Sequence, residues 1–342
     1  MNKYQHIAHN LIPAVAYGDA AGLPFEAQES REHGSIDGLR DTTTNPFIGE
    51  HPAGTWSDDT HLTLAVAKSL IAANGFDLES QADWHVEAHA HVKGDTRFPD
   101  MIPPLVTTDD QNGWGKSSTR SAERLTHGIS PYESGESDGA SNGVLMKLSP
   151  LVAWQLGNQM PAAEAEQQLV NLTRMTHDSP VAIVCSLIHR RYLERISNGI
   201  DARTALVDTH QDSLEYEKEF NGGDKLSQSL GRLATDDFLE QPNRDKILLA
   251  RPANRTPRFF GFFAPETLMM AYGSFVTEQV LPKSVFRAVE LGGDSDSAGS
   301  IVAAMSVFAD QTSVAELPDY EKLFDIKRLE RVSAELADTI RE

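Results

Sequence analysis

Three observations in the sequence predict an all-α fold. Apolar residues recur with helical period along most of the chain, convincing alternating strand runs are lacking, and no Gly-rich hairpin series occurs. Thr60 to Ala73, THLTLAVAKSLIAA, spreads Leu62, Leu64, Ala65, Ala67, Leu70 and Ile71 over one broad apolar face. Pro161 to Thr176, Pro180 to Ser197, Ala264 to Val280 and Ser297 to Phe308 read the same way. Pro161 and Pro180 suit first-turn positions, where a missing N–H costs nothing. Tyr320 to Ile340 adds one or two amphipathic helices.

The breaks between these runs carry as much information. Glu29 to Gly54, Asp95 to Trp114 and Ser130 to Gly143 are polar and loop-like, and long loops inside a compact domain are often functional. Asp212 to Thr256 is the most charged and least periodic internal stretch, which predicts a variable insertion or lid. With no linker and no solenoid repeat in view, the expectation is one compact multi-helical domain over residues 1–342.

Composition narrows the function classes. The chain has 342 residues, with 40% hydrophobic and 23% charged, long enough to fold without a metal or disulfide staple. Lys and Arg number 30 against 50 Asp and Glu, a formal net charge of -20. Such a surface repels phosphate backbones, so neither nucleic-acid nor anionic-membrane binding is expected. Cys185 is the only cysteine, which excludes an internal disulfide and Cys-rich metal sites. Met1 to Ala21 has one Lys and an apolar stretch broken by Pro13. No signal peptide, no spanning helix and a cytoplasmic location are expected.

Two acidic clusters stand at helix starts. In Gly54–Thr60, Ser57 suits an N-cap, and Asp58 and Asp59 suit a first turn opposite the positive end of the dipole. In Gly292–Gly299, Asp294 and Asp296 with Ser297 bring hard oxygen donors to one side, suited to Mg²⁺, Mn²⁺ or Ca²⁺. An EF-hand is rejected, because its twelfth position here is Met305 rather than Glu. If the two helices converge, the four aspartates repel one another unless cations lie between them or several are protonated. Gly18–Glu26 predicts a tightly packed helix end, with Asp19 a buried acid bonding backbone N–H groups and Glu26 emerging beside it. Ser141–Lys147 reads as a loop and cap whose N–H groups can also cradle phosphate. His85, His89 and His91 with Glu87 imitate a zinc helix, but the Glu is one position off H-E-x-x-H, so a solvated face is expected. Cys185, in an apolar run, reads as an inert core residue.

The ordered segments GDAAGLPFE (Gly18–Glu26), SDDT (Ser57–Thr60), SNGVLMKLSPL (Ser141–Leu151), TH (Thr176-His177) and GGDSDSAG (Gly292–Gly299) resemble the ADP-ribosylglycohydrolase family, over about residues 10 to 310. That family includes ADP-ribosylarginine hydrolases and dinitrogenase reductase-activating glycohydrolases. The resemblance implies an all-α domain with a two-magnesium cleft, Mn²⁺ being a possible substitute, that frees ADP-ribose from a modified protein. Under it Ser57, Asp58 and Asp59 form one metal-ligand group and Asp294, Asp296 and Ser297 the other. Glu26 and Asp59 become the catalytic candidates, and Trp114, Gly115, Ser141, Asn142, Gly143 and His177 the substrate-binding ones. Some bacterial members carry an aspartate where this chain has Gly113, which adds weight to Glu26. ADP-ribosylarginine is the expected substrate. The alternatives are an immunity protein that plugs an ADP-ribosyltransferase toxin and a crystallin-like relative without turnover. The intact acids favour catalysis over both.

Overall fold

The structure is a computed structural model and describes residues 1–28, 36–92, 113–235, 260–310 and 314–341. Thirteen α-helices stand among these residues. They are α1 Lys3–Gly22, α2 Asp58–Ala73, α3 Leu78–Val92, α4 Lys116–Thr126, α5 Ser149–Gly157, α6 Ala162–Thr176 and α7 Pro180–Ser197. The chain continues with α8 Ala202–Phe220, α9 Lys225–Thr235, α10 Ala264–Thr277, α11 Lys283–Val289, α12 Ser295–Asp310 and α13 Ile326–Asp338. The all-α expectation therefore holds, and the periodic runs fall on helices. One detail differs: Pro180 is the first residue of α7, whereas Pro161 is the N-cap of α6. The Glu29–Gly54 stretch is not wholly loop, since Thr42–Asn45 (β1) and Gly49–His51 (β2) pair antiparallel around a short turn.

The centre of the fold is α1, whose sequence showed only a short apolar run. Asn2 and Gln5 cap it reciprocally, each side chain accepting from the other's backbone N–H at 2.8 and 3.0 Å. Every residue from Asn10 to Gly22 is buried. α12, α13, α5 and α2 all pack on it. Its C-terminal half has small residues because α12 crosses it at backbone distance. A Cβ at Gly18 would collide with the Gly299 carbonyl oxygen, and one at Gly22 with the Ser295 carbonyl oxygen and the Asp296 backbone. This is the tightly packed helix end expected from Gly18–Glu26.

α2 is fastened to α1 by Asp19. Its carboxylate accepts from the Ser57 N–H at 3.0 Å, the Thr60 N–H at 3.0 Å and the Thr60 hydroxyl at 2.6 Å. A helix leaves its first N–H groups without intrahelical partners, and here a neighbouring helix supplies the acceptor. The C-terminal segment completes the joint. Trp56 Nε1 donates to the Phe324 carbonyl at 3.0 Å, and the Phe324 N–H donates to the Gly54 carbonyl at 2.9 Å.

Two expectations about surface segments meet the structure as follows. Residues 212–235 of the presumed insertion belong to the end of α8 and to α9, where Leu226, Leu230 and Leu233 are buried; residues 236–256 lie outside the described residues. Most of Asp95–Trp114 also lies outside them. Cys185 is fully buried in α7, and burial pushes its thiol up, as an inert core residue requires.

Gly18→Ala should destabilise the protein by about 1–3 kcal/mol or more, because the new methyl meets backbone that cannot rotate away. Urea denaturation measures this; an unchanged midpoint would show that α1 and α12 can part without cost.

Candidate active site

Ser57 is the N-cap of α2, so Asp58 and Asp59 occupy its first turn. α12 begins at Ser295, so Asp296 and Ser297 lie in its first turn and Asp294 precedes it. The crossing of α1 and α12 brings these two helix starts together. Ser297 Oγ donates to Asp59 Oδ2 at 3.2 Å, across 238 residues of chain. Ser300, one turn further along α12, donates to Asp59 Oδ1 at 2.7 Å, and Ser57 Oγ lies 3.4 Å from Oδ2.

Glu26 leaves the turn Leu23–Phe25 at the end of α1 and joins the same cluster. One carboxylate oxygen each from Glu26, Asp294 and Asp296 lies within 4.8 Å of the others. Asn45, at the end of β1, donates to Glu26 Oε2 at 2.8 Å, and Asn142 donates to Asp294 Oδ2 at 2.9 Å. Asp296 Oδ1 is buried and has no hydrogen-bond partner among the described residues.

These acids are buried, and their charge states reflect it. Burial raises all five carboxyls well above the ordinary range. Next in order, Asp296 raises Glu26 and Asp59, Asp19 raises Asp58, Glu26 raises Asp294, and Asp294 raises Asp296. Asp19 itself is raised by burial only to about 6, because four hydrogen bonds from Ser57 and Thr60 oppose the rise. Five mutually repelling carboxylates with one orphaned oxygen suit a divalent cation, and an all-oxygen donor set selects a hard one.

The cluster lies against a cavity of about 360 Å³. Glu26, Asp58, Asp59, Asp294, Asp296 and Ser297 line one part of it. Gly113, Gly115, Lys116 and Ser117 line another, and Glu136 with Asp138 to Gly143 a third. Of the substrate-binding residues expected from the sequence, Gly115, Ser141, Asn142 and Gly143 line the cavity. Trp114 is placed behind it, in an apolar cluster with Leu62, Ala65, Trp84, Ala88 and Met146, its ring centroid 5.9 Å from that of His61 and 5.4 Å from that of His89. His177 is also behind the wall, its Nε2 2.8 Å from Ser141 Oγ.

The histidines of α3 correct an expectation. His85, Glu87, His89 and His91 are buried rather than solvated, because this face of α3 packs against α2 and α4. His91 Nε2 pairs with Glu87 at 3.0 Å, while His85 bonds the Gln81 carbonyl and Lys147. Lys147, wholly buried, is lowered by burial to about 7, with Asp58 opposing the drop.

The sequence reading missed Asn45, Ser300 and Lys147 as parts of the site. Ser300 was discoverable, since it follows Ser297 by one helical turn on the same face. Asn45 sits in a polar segment without periodicity, and nothing in its neighbourhood tied it to Glu26.

Comparison with known proteins gives the family and the fold. The model of the family described as ADP-ribosylglycohydrolase matches residues 3–334. The chain belongs to the ADP-ribosylglycohydrolase family. Its members hydrolyse ADP-ribosyl bonds and depend on metal. An uncharacterized protein of Archaeoglobus fulgidus is 22% identical over 317 residues, 86% of this chain and 85% of its own. The ADP-ribosylarginine hydrolase Tri1 of Pseudomonas putida is 22% identical over 237 residues, 68% of this chain and 58% of its own. A solved structure titled as an ADP-ribosylglycohydrolase-related protein complex superposes with a TM-score of 0.71 at 21% identity, covering 100% of both chains. No described helix is long and apolar enough to cross a membrane.

Protons and a cation compete for the same oxygens here. A carboxyl raised in the folded state stabilises the fold only while protonated, and that contribution is lost as pH rises through its raised pKa. His61 and His177, held by burial near 3, give a slope of opposite sign below their unfolded value, with or without cation. The rise in Tm produced by a divalent cation should therefore grow as pH rises above the ordinary carboxylate range. Thermal scans in EDTA and in excess cation test this, and a difference that is flat or shrinks with pH contradicts it.

Proposed function

We propose that this protein hydrolyses the N-glycosidic bond between ADP-ribose and an arginine side chain of a modified protein, using two Mg²⁺ ions that Mn²⁺ can replace. The observation that carries this reading is the buried five-carboxylate cluster, with Asp296 Oδ1 orphaned, facing a cleft edged by the Gly139–Gly143 loop. The family and the name of the Pseudomonas relative support the reaction class and the acceptor.

Ser57, Asp58 and Asp59 on one side, and Asp294, Asp296 and Ser297 on the other, are the residues that would hold the cations. Bound there, the cations would polarise ribose hydroxyls and acidify water. Glu26 is the proton acceptor. Burial, and then the neighbouring Asp296, raise its carboxyl and so its affinity for a proton, and Asn45 holds one of its oxygens in place. Asp59 already receives serine hydroxyls on both oxygens, so its part in catalysis is to hold position. Carboxylates around the ribosyl carbon favour the positive charge of an oxocarbenium-like transition state. Gly115 and the Gly139–Gly143 loop present backbone to the diphosphate without adding positive charge. Asp138 at the cleft favours a cationic guanidinium over a neutral acceptor, while Glu136 beside it is already paired with Arg120 and Arg124. A protein that only plugged a toxin would have no use for buried acids that repel one another. A single buried cysteine suits work in the cytoplasm.

Incubation with ADP-ribosylated arginine, ADP-ribosylserine and acetyl-linked ADP-ribose, with and without Mg²⁺, tests the proposal. ADP-ribose should be released from the arginine conjugate in the presence of Mg²⁺ and not in EDTA. Preference for another conjugate would overturn the acceptor, and full activity in EDTA would overturn the metal role.

Asp58→Ala and Asp296→Ala should each abolish turnover while the protein stays folded, because each removes a repelling charge. Wild-type rates in either variant would exclude that residue from the metal site. Glu26→Gln should slow turnover by about 10²–10⁴-fold with a much smaller change in ADP-ribose affinity. Near-normal turnover would remove Glu26 from the mechanism.

A further inference from the structure

Behind the cleft wall, five side chains form a continuous hydrogen-bonded chain whose direction is fixed from its buried end. His85 Nδ1 lies 2.7 Å from the Gln81 carbonyl oxygen, so that nitrogen carries the proton and Nε2 accepts. Lys147 Nζ is 3.1 Å from His85 Nε2 and 3.0 Å from Thr176 Oγ1. With Lys147 charged, the form favoured below its lowered value of about 7, the ammonium has only donors and gives a proton to each. Thr176 Oγ1, now accepting from Lys147, keeps its own proton to donate, and the acceptor 2.8 Å away is His177 Nδ1. His177 must then carry its proton on Nε2, 2.8 Å from Ser141 Oγ. Ser141 accepts that proton and has its own left to offer to the cleft that it lines.

The opposite direction is disfavoured at Thr176. It would give Thr176 protons from both Lys147 and His177, leaving a buried hydroxyl proton without an acceptor, which is costly. Burial keeps His177 neutral, near 3, so its ring has one acceptor nitrogen and one donor. Gly143 lets the loop carrying Ser141 lie on that ring, since a Cβ there would sit 3.2 Å from His177 Cε1.

We propose that Lys147 and Thr176 are positioning residues that lock His177 in its Nε2–H tautomer and so make Ser141 a one-way donor to an anionic oxygen in the cleft. The identity of that oxygen, a diphosphate oxygen of ADP-ribose, rests on the function proposed above; the tautomer does not. The consequence is selectivity by polarity. At Ser141 the cleft accepts a ligand group that only receives hydrogen bonds and disfavours one that must donate.

Long-range ¹H–¹⁵N correlation of the histidine rings in the ligand-free, full-length protein reads the tautomer. Wild type should show His177 protonated at Nε2, and Thr176→Ser, which keeps the hydroxyl, should match it. In Thr176→Val, nearly the same shape without the hydroxyl, the Nδ1–H form should appear, and ADP-ribose affinity should fall by about 10-fold or more. Lys147→Met should shift the ring in the same sense. A wild-type ring protonated at Nδ1, or an unchanged tautomer in Thr176→Val, overturns the proposal; the wild-type spectrum decides even where a variant fails to fold. Normal ADP-ribose affinity in Thr176→Val with an altered ring overturns the donor role of Ser141. Failure of the wild type to bind ADP-ribose would overturn the proposed function and would be seen separately from the ring spectrum.

Discussion

At Gly18 and Gly299 two helices meet backbone to backbone, and the carboxylate cluster exists because of that contact. Asp59 and Asp296 belong to segments that repel each other, and among the described residues no ion pair joins α2 to α12. The force that joins them lies outside the cluster, in the apolar burial of α1 and α12 along their length. Small residues at the crossing let the helices come close enough for Ser297 and Ser300 to reach Asp59. A larger side chain at either glycine would widen the gap between the two helix starts and move the ligand oxygens with them.

Asp19 shows what a buried acid needs when it must stay quiet. It is surrounded by donors from α2, and its carboxyl rises less than those facing the cleft. Glu26 and Asp294 each receive one side-chain amide, from Asn45 and Asn142, and Asp296 Oδ1 has no partner among the described residues. The fold thus divides one acidic region into a structural acid, satisfied by the protein, and a reactive group that the protein leaves unsatisfied. Such deliberate shortfall is the usual mark of a site that receives something from outside.

Much of this was legible in the sequence, and the exceptions have physical reasons. Helices α2, α6, α7, α10, α12 and α13 announced themselves by period, and the two acidic helix starts by the crowding of Asp and Ser next to Gly, whereas α9 and the end of α8 fell in the stretch that read as least periodic. α1 was harder to read, because a helix buried on all sides has no polar face to set a period, and Pro13 suggested a break. The histidines of α3 look like a solvated face in sequence, because polarity alone does not tell a wet surface from a buried polar layer. Trp114 sits between two glycines that line the cavity, yet its ring turns the other way, a choice made by the pocket that Leu62, Ala65 and Met146 form. The partners Asn45 and Lys147 are fixed only by tertiary packing, which no local pattern records.

The strap formed by Phe324 on Gly54 and Trp56 bears on how the protein is made. A chain grows from its N-terminus, and Asp58 and Asp59 leave the ribosome long before Asp294 and Asp296. Until the late segments arrive, α1 has no α12 to cross, and the loop ahead of α2 has no Phe324 to hold it. The nascent chain therefore carries one half of the acidic cluster without the other. Assembly of the complete site waits until residues 294–324 have been made, and a product cut short before residue 324 lacks the strap that holds the loop ahead of α2.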